Sequence, residues 1–121
     1  NFIMQALTGE PITVYGDGKQ TRSFCYVDDL VDGLVLLMKS NFQEPLNLGN
    51  PNEFTILELA EAVCEATTTS VEIVHNPLPI DDPQRRCPNI SRAQKELGWA
   101  PETALADGLK PTVDWFQRLI D

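Results

Sequence analysis

The sequence is poor in several residue types that carry chemistry. It has one histidine, His75, and three cysteines, Cys25, Cys64 and Cys87. No two cysteines form a Cys-x-x-Cys pair, so neither a zinc site nor a disulfide framework is indicated. Sparse, scattered thiols fit a reducing cytosol, and we read the chain as cytoplasmic. With one histidine, no Ser/His/Asp or Cys/His catalytic set can be assembled. No run approaches the roughly 18 apolar residues of a membrane span. No basic stretch leads into an apolar one near Asn1, so no secretory signal is visible. Positive charge is scarce too: 9 Lys and Arg stand against 18 Asp and Glu, a net charge of −9. A nucleic-acid partner or an anionic membrane surface needs a basic footprint, so both are excluded.

What remains is an ordinary globular composition. The 121 residues are 42% hydrophobic and 22% charged. That is one domain at most, able to bury about two-thirds of its unfolded surface. The charge is uneven. Residues 1–60 carry only Lys19, Arg22 and Lys39 against eight acids, and Arg22 is the only Arg before Arg85. An acidic protein that binds an anion must use a few placed cations. Arg22, Arg85 and Arg86 are the candidates.

The hydrophobic pattern alternates between helix and strand periods. Phe2 to Leu7 reads as the end of a helix, stopped by Gly9 and Pro11, and Ile12 to Tyr15 as a strand. Gly16 to Gln20 forms a turn, and Arg22 to Val27 alternates like a second strand. Asp28 or Asp29 can cap a helix running to Ser40, apolar almost all round and so expected to be buried. Pro45 to Leu48 reads as a short strand. Thr55-Ile-Leu-Glu58 matches a capping box, with its helix running through Ala66. Val71 to His75 is a strand, followed by a loop rich in proline. Asn89 or Ser91 caps a short helix that ends at Gly98-Trp99. Leu105, Leu109, Val113, Phe116 and Ile120 mark a last helix, which Pro111 should kink or restart. Trp99, Trp115 and Cys64 are expected in the core. This order predicts an α/β fold with a thin sheet.

Two segments stand out. In Tyr15-Gly-Asp-Gly-Lys-Gln-Thr-Arg22 the glycines permit a tight turn and close approach to a ligand. Arg22 then offers a planar fork to a phosphate or carboxylate. The alternative, favoured by residue types alone, is a hairpin with a surface Arg. Gly-Asp-Gly is no dinucleotide fingerprint, because the third glycine is missing. In Asp81-Asp-Pro-Gln-Arg-Arg86, prolines stiffen a loop that can hold an Arg over an anion. The alternative is a solvated loop with weak local ion pairs. His75 is expected to be structural. Asp28 and Asp29 would point about 100° apart on a helix, which disfavours a proton-sharing pair.

Taken in order, the motifs resemble a known family. They are Gly-Asp-Gly-x-Gln-Thr-Arg-x-Phe-x-Tyr-Val-x-Asp, Leu-Asn-Leu-Gly-Asn, Arg-Arg-x-Pro-x-Ile-Ser-x-Ala-x-x-x-Leu-Gly-Trp-x-Pro and Gly-Leu-x-x-Thr-Val-x-Trp-Phe. The set resembles the C-terminal part of extended short-chain dehydrogenases acting on nucleotide sugars, over essentially all 121 residues. Gln20-Thr-Arg22-Ser-Phe and Asp81-Asp-Pro-Gln-Arg-Arg86 look closest to the UDP-glucuronate decarboxylases. Nucleotide-sugar 4-epimerases and 4,6-dehydratases share the arginine sites and are the nearest rivals. A non-catalytic nucleotide-sugar-binding module is the rival from another class.

The resemblance implies a small substrate domain plus the last helix and strand of a Rossmann sheet. It implies that Arg22 holds a UDP diphosphate and that Arg86 lies over the diphosphate or sugar carboxylate, with Arg85 beside it. Asn1 would touch the phosphates from a helix N-terminus. Tyr15 and Gly16 would lie along the uracil or ribose. The family's reaction is oxidation at C4 by bound NAD, loss of CO₂ and reduction back. The resemblance places the family's Gly-rich NAD loop and its catalytic Tyr-x-x-x-Lys pair upstream of these residues. No residue here is therefore assigned to catalysis, to NAD or to a metal. Residues 1–121 are expected to be a C-terminal nucleotide-sugar-binding region, a fragment or processed chain whose NAD-binding half lies upstream. The full-length enzyme is expected to be a homodimer, and the isolated region to self-associate. Cys87 and Asn89 replace the family's usual Lys and Asp. The 121-residue chain alone is expected to turn over no UDP-glucuronate in a coupled CO₂-release assay, and turnover by it alone would contradict this assignment.

Overall fold

A computed structural model describes residues 1–121. Five helices and four short strands follow one another: α1 (Phe2–Thr8), β1 (Ile12–Tyr15), β2 (Thr21–Ser23), α2 (Val27–Lys39), β3 (Glu53–Thr55), α3 (Ile56–Thr67), β4 (Ile73–Asn76), α4 (Ser91–Leu97) and α5 (Leu105–Ile120). The fold is α/β. None of its helices is long and apolar enough to cross a membrane.

The thin sheet is in fact two ribbons. β1 and β4 pair in parallel, with Ile12 opposite Ile73 and Tyr15 opposite Asn76. β2 and β3 pair antiparallel, with Arg22 opposite Phe54. A two-stranded ribbon leaves each strand one open edge, and local groups cover it. The Gln5 side chain accepts from Thr13 N (3.2 Å) and donates to Thr13 Oγ1 (3.0 Å), closing the free side of β1.

Two clusters hold the elements together. The larger buries Ala6, Ile12, Val14, Ala60, Val63 and Leu109, where α1, α3 and α5 meet the first ribbon. The smaller buries Ile90, Ala93 and Trp99, with Cys25, Leu46 and Leu48 against it. Gly18 sits between ribbon and helix in the left-handed region (φ +76°). A Cβ there would come 2.6 Å from Leu57 Cγ, so only glycine fits. Thr55 caps α3 as the capping box predicts, accepting from Glu58 N at 3.1 Å.

Several expectations are corrected. Arg22 to Val27 forms a strand only as far as Ser23. Pro45 to Leu48 forms no strand; Leu46 and Leu48 pack irregularly on the smaller cluster, with no partner backbone beside them. Neither Asp28 nor Asp29 caps α2, whose N-cap is Tyr26. Ile90, not Asn89 or Ser91, precedes α4 as its N-cap, although Asn89 Oδ1 accepts from Ser91 N at 3.0 Å. α5 runs through Pro111 as one helix, so the chain does not restart there. The carbonyl Pro111 leaves unpaired belongs to exposed Asp107, where water can serve it, and Thr112 Oγ1 donates to Gly108 O at 2.7 Å. Trp115 is exposed and stacks edge-on against Phe116, while Trp99 is buried as expected.

The apolar helix α2 is not buried: Val31, Leu34, Val35, Leu36 and Met38 are exposed. Only one side is covered. There Asp29 is buried and its Oδ2 accepts from the backbone N–H groups of Glu102 (3.1 Å) and Thr103 (2.9 Å). Trp99 Nε1 donates to Asp29 O at 2.9 Å. Gly33 lets this happen, since a Cβ there would lie 3.0 Å from Trp99 Cε2. One residue thus fastens α2 to the α4–α5 connection. Asp29→Ala leaves two backbone donors without their acceptor and should cost about 2–3 kcal/mol in urea unfolding. Asp29→Asn, which keeps an acceptor oxygen, should lose less. Equal, near-zero losses would contradict the assignment.

Candidate functional site: two cavities around Arg22

β1 ends at Tyr15, and the turn that follows returns the chain at Gln20. Gln20 is buried and donates from Nε2 to Tyr15 O at 2.9 Å, which fixes the spacing between Tyr15 and β2. β2 has β3 on one edge. On the other lies the loop after β4, with Thr21 N donating to Gln84 O (2.9 Å) and a bridge between Thr21 and Arg85. That loop brings its charged residues beside Arg22.

Arg22 is mostly covered. Its Nη1 donates to Thr21 O at 2.6 Å and its Nη2 meets Asp82 Oδ2 at 2.9 Å. It lines two cavities. One, of about 420 Å³, also has Asn1, Gln5, Thr13, Tyr15, Gln20, Asn76 and Asp82 in its wall. The other, of about 780 Å³, has Arg85, Arg86, Ser23, Cys25, Asn50 and Cys87. The first is rich in amides and hydroxyls, with one positive and one negative charge. The second holds three guanidiniums and no carboxylate.

The sequence candidates divide accordingly. Asn1, Tyr15 and Arg22 share the first cavity, and Arg22, Arg85 and Arg86 the second. Gly16 stands just past Tyr15, outside both walls. Its carbonyl lies 2.7 Å from His75 Nδ1, which gives the single histidine a structural partner. The two loop arginines are not equivalent. Arg85 makes a bidentate pair with Glu53, Nε to Oε1 at 2.7 Å and Nη2 to Oε2 at 2.8 Å. Arg86 pairs with no carboxylate, and only its carbonyl is engaged, accepting from Ser23 Oγ at 3.2 Å.

The Arg85 hydrogen bonds hold the Glu53 carboxyl below its ordinary value, with Thr21 Oγ1 adding to the effect. The same pairing raises Arg85. Burial, and then the Asp29 charge, push the Cys25 thiol up, so it stays a neutral wall residue. Asn76 and Glu53 escaped the sequence reading and carry no spacing signal. Gln20 and Asp82 appeared there only as members of the motifs around Arg22 and the arginine pair, with no role assigned.

A further groove, beside α1, is apolar, about 510 Å³, lined by residues such as Phe2, Phe24, Tyr26, Leu59 and Leu109. It offers no cation and is not where an anion would bind.

The fold matches that of nucleotide-sugar enzymes of the extended short-chain dehydrogenase class. The structure superposes on UDP-glucose 4-epimerase from Thermotoga maritima, solved with UDP-glucose, with a TM-score of 0.94 at 32% identity, over 99% of this chain and 39% of that one. It superposes on UDP-glucuronic acid 4-epimerase from Bacillus cereus, solved with UDP-glucuronic acid and NAD, with a TM-score of 0.91 at 29% identity, over 98% and 38%. The chain belongs to the GDP-mannose 4,6 dehydratase family, whose model matches residues 1–112. It is 51% identical to UDP-glucuronic acid decarboxylase 1 of Danio rerio over the whole chain and 29% of that protein. It is 54% identical to UDP-glucuronic acid decarboxylase 3 of Arabidopsis thaliana over 90% of the chain and 32% of that protein. The chain therefore spans less than a third of the length of these curated relatives.

The lowered Glu53 carboxyl gives a pH prediction. A carboxylate whose folded value is depressed stabilises the fold above its unfolded value, and the effect fades as pH falls through the folded one. The stability gap between wild type and Glu53→Gln should be open at neutral pH and close in acid, below the usual carboxylate range. A gap that stays constant across acid titration would show that the pairing is idle.

Proposed function

We propose that this chain is the nucleotide-sugar-binding portion of a UDP-glucuronate decarboxylase. The carrying observation is the position of Arg22 in the wall between a polar, nearly neutral cavity and a cationic one. A nucleotide sugar has the same division, a hydrogen-bonding nucleoside beside a doubly charged diphosphate. In this reading Arg22 and Arg86 take the diphosphate, in charge-assisted forks. Tyr15 and Asn76 line the half that receives the uncharged part, and Asn1, in the same wall as Arg22, is kept for the phosphates. Arg85 acts through its neighbours, because Glu53 already occupies its fork.

The choice of decarboxylase rests on degree of likeness. Identity to the decarboxylase of Danio rerio is 51%, against 32% to the epimerase of Thermotoga maritima. A 4-epimerase or 4,6-dehydratase region would use the same cavities. A non-catalytic module would bind UDP with no further half supplied.

The residues in hand do not fit NAD. Gly16 and Gly18 turn the chain from β1 into β2, not from a strand into a helix N-terminus, so no dinucleotide cradle forms. We assign this chain no step through that cofactor; its part is to bind and orient. The division into a sugar-binding region at residues 1–121 and a separate NAD-binding half belongs to this proposal, as does homodimerisation of the whole enzyme. The exposed apolar side of α2 supports self-association of the region on its own.

Calorimetry with UDP-glucuronate tests the site. Arg22→Ala and Arg86→Ala should each weaken binding by about tenfold or more, the loss of a charge-assisted contact. Arg85→Ala should weaken it less. Equal binding by all four proteins would overturn the assignment.

A further inference from the structure

The three thiols differ in their surroundings, and one has no part in the reading above. Cys64 packs against the larger cluster. Cys25 is half-buried, its thiol pushed up by burial and then by the Asp29 charge. Cys87 is exposed. It lies between Arg86 and Pro88 in the chain and shares the wall of the cavity of about 780 Å³ with Arg22, Arg85 and Arg86.

Two contacts hold it in that wall. Pro88 packs so closely on Gly49 that a Cβ there would come 2.9 Å from Pro88 Cγ. Cys87 Sγ donates to Pro51 O at 3.2 Å, and an S–H bond is weak enough to be given up at small cost. A cation stands near the sulfur as well: Arg85 is raised first by Glu53 and then by the charge of a Cys87 thiolate.

The same cavity has a second unused group. Asn50 is buried, at 8% exposure, and lines this wall. Its Oδ1 accepts from Asn52 N at 2.9 Å, while its Nδ2 donates to no group of the protein. No sealed side-chain polar atom lacks a partner, so this N–H reaches open space. An amide donor left free beside three guanidiniums suits a ligand that carries carboxylate oxygens.

We propose that Cys87 is a thiol-exchange site that captures a small anionic disulfide, and that the product closes the cationic cavity. The Cys87 thiolate attacks one sulfur of the disulfide. The S–S bond of the reagent breaks and a bond from Cys87 Sγ forms. The other half leaves as a thiolate and takes up the proton that Cys87 gave up. Cys87 is oxidised and the departing half is reduced; excess free thiol reverses the step. The guanidiniums raise the local concentration of an anionic reagent above that of a cationic one. Arg86, which pairs with no carboxylate of the protein, and the Asn50 amide are the groups free to receive its carboxylates. That the adduct shuts out a substrate rests on the proposed diphosphate site; the exchange itself does not.

The probes are glutathione disulfide, which is anionic, and cystamine, a cationic disulfide. Each is added to the reduced 121-residue chain at low and at high salt. Intact mass and peptide mapping read the rate and the position of the adduct. Rates are taken relative to the same chain unfolded in urea, which cancels the intrinsic reactivity of each reagent. Glutathione disulfide should react at Cys87 first, and about tenfold faster than cystamine on this scale, with the preference lost at high salt. Cys87→Ser should form no adduct at that rate, and Arg86→Ala should lose most of the preference. First reaction at Cys25 or Cys64, or equal relative rates for the two reagents, would overturn the proposal. UDP-glucuronate binding separates the two readings. Binding that is lost in the adduct and restored by dithiothreitol upholds both. Equal binding with and without the adduct overturns the closure. Selective reaction at Cys87 with no UDP-glucuronate binding by any form upholds the exchange site and overturns the substrate assignment instead.

Discussion

The loop between β4 and α4 has no regular structure of its own, and the site exists because this loop docks along β2. Three neighbouring residues of β2 and its flank supply the docking. Thr21 gives its N–H to Gln84 O, Arg22 meets Asp82, and Ser23 donates to the Arg86 carbonyl. β3 adds Glu53, which receives Arg85 on one side and Thr21 Oγ1 on the other. Each contact alone is modest, because a single hydrogen bond or ion pair contributes about 1 kcal/mol net. Together they place three arginines around one cavity in a protein with twice as many acids as bases.

The rest of the fold keeps β2 where the loop can find it. Ile12 and Val14 are fully buried under α3 and hold the first ribbon rigid up to Tyr15. Gln20 ties Tyr15 to the start of β2, and Thr55 at the end of β3 caps α3. On the far side, Asp29 and Trp99 fasten α2 to the end of α4, which anchors the exit of the same loop. Side chains that touch no ligand thereby set the distance between the two cavities. With a net charge of −9 over the chain, an anion site here has to be built from a few placed cations.

What was legible in the sequence was local. The helices α1, α3 and α5 announce themselves by apolar spacing, and the α3 cap by Thr55 and Glu58 three residues apart. Arg22, Arg85 and Arg86 were visible because cations are rare here. What was not legible depends on distant partners. Asp29 resembles a helix cap, yet its carboxylate serves backbone more than 70 residues away. Leu46 and Leu48 have strand chemistry but no strand beside them. Glu53 and Asp82 gave no sign that one would occupy Arg85 and the other Arg22, since pairing between loops leaves no spacing. The family resemblance located the arginine sites; only the geometry separates the clasped Arg85 from the free Arg86.

The central claim is that Arg22 is the shared wall of one bipartite anion site. Titrating UDP into the ¹⁵N-labelled chain and following backbone and side-chain N–H signals tests it most directly. The account predicts shifts that converge on Arg22 from both sides, at Tyr15, Gln20 and Asn76 in one cavity and Arg86 in the other. Shifts confined to the apolar groove around Phe24 and Leu109, or to one cavity without Arg22, would contradict it.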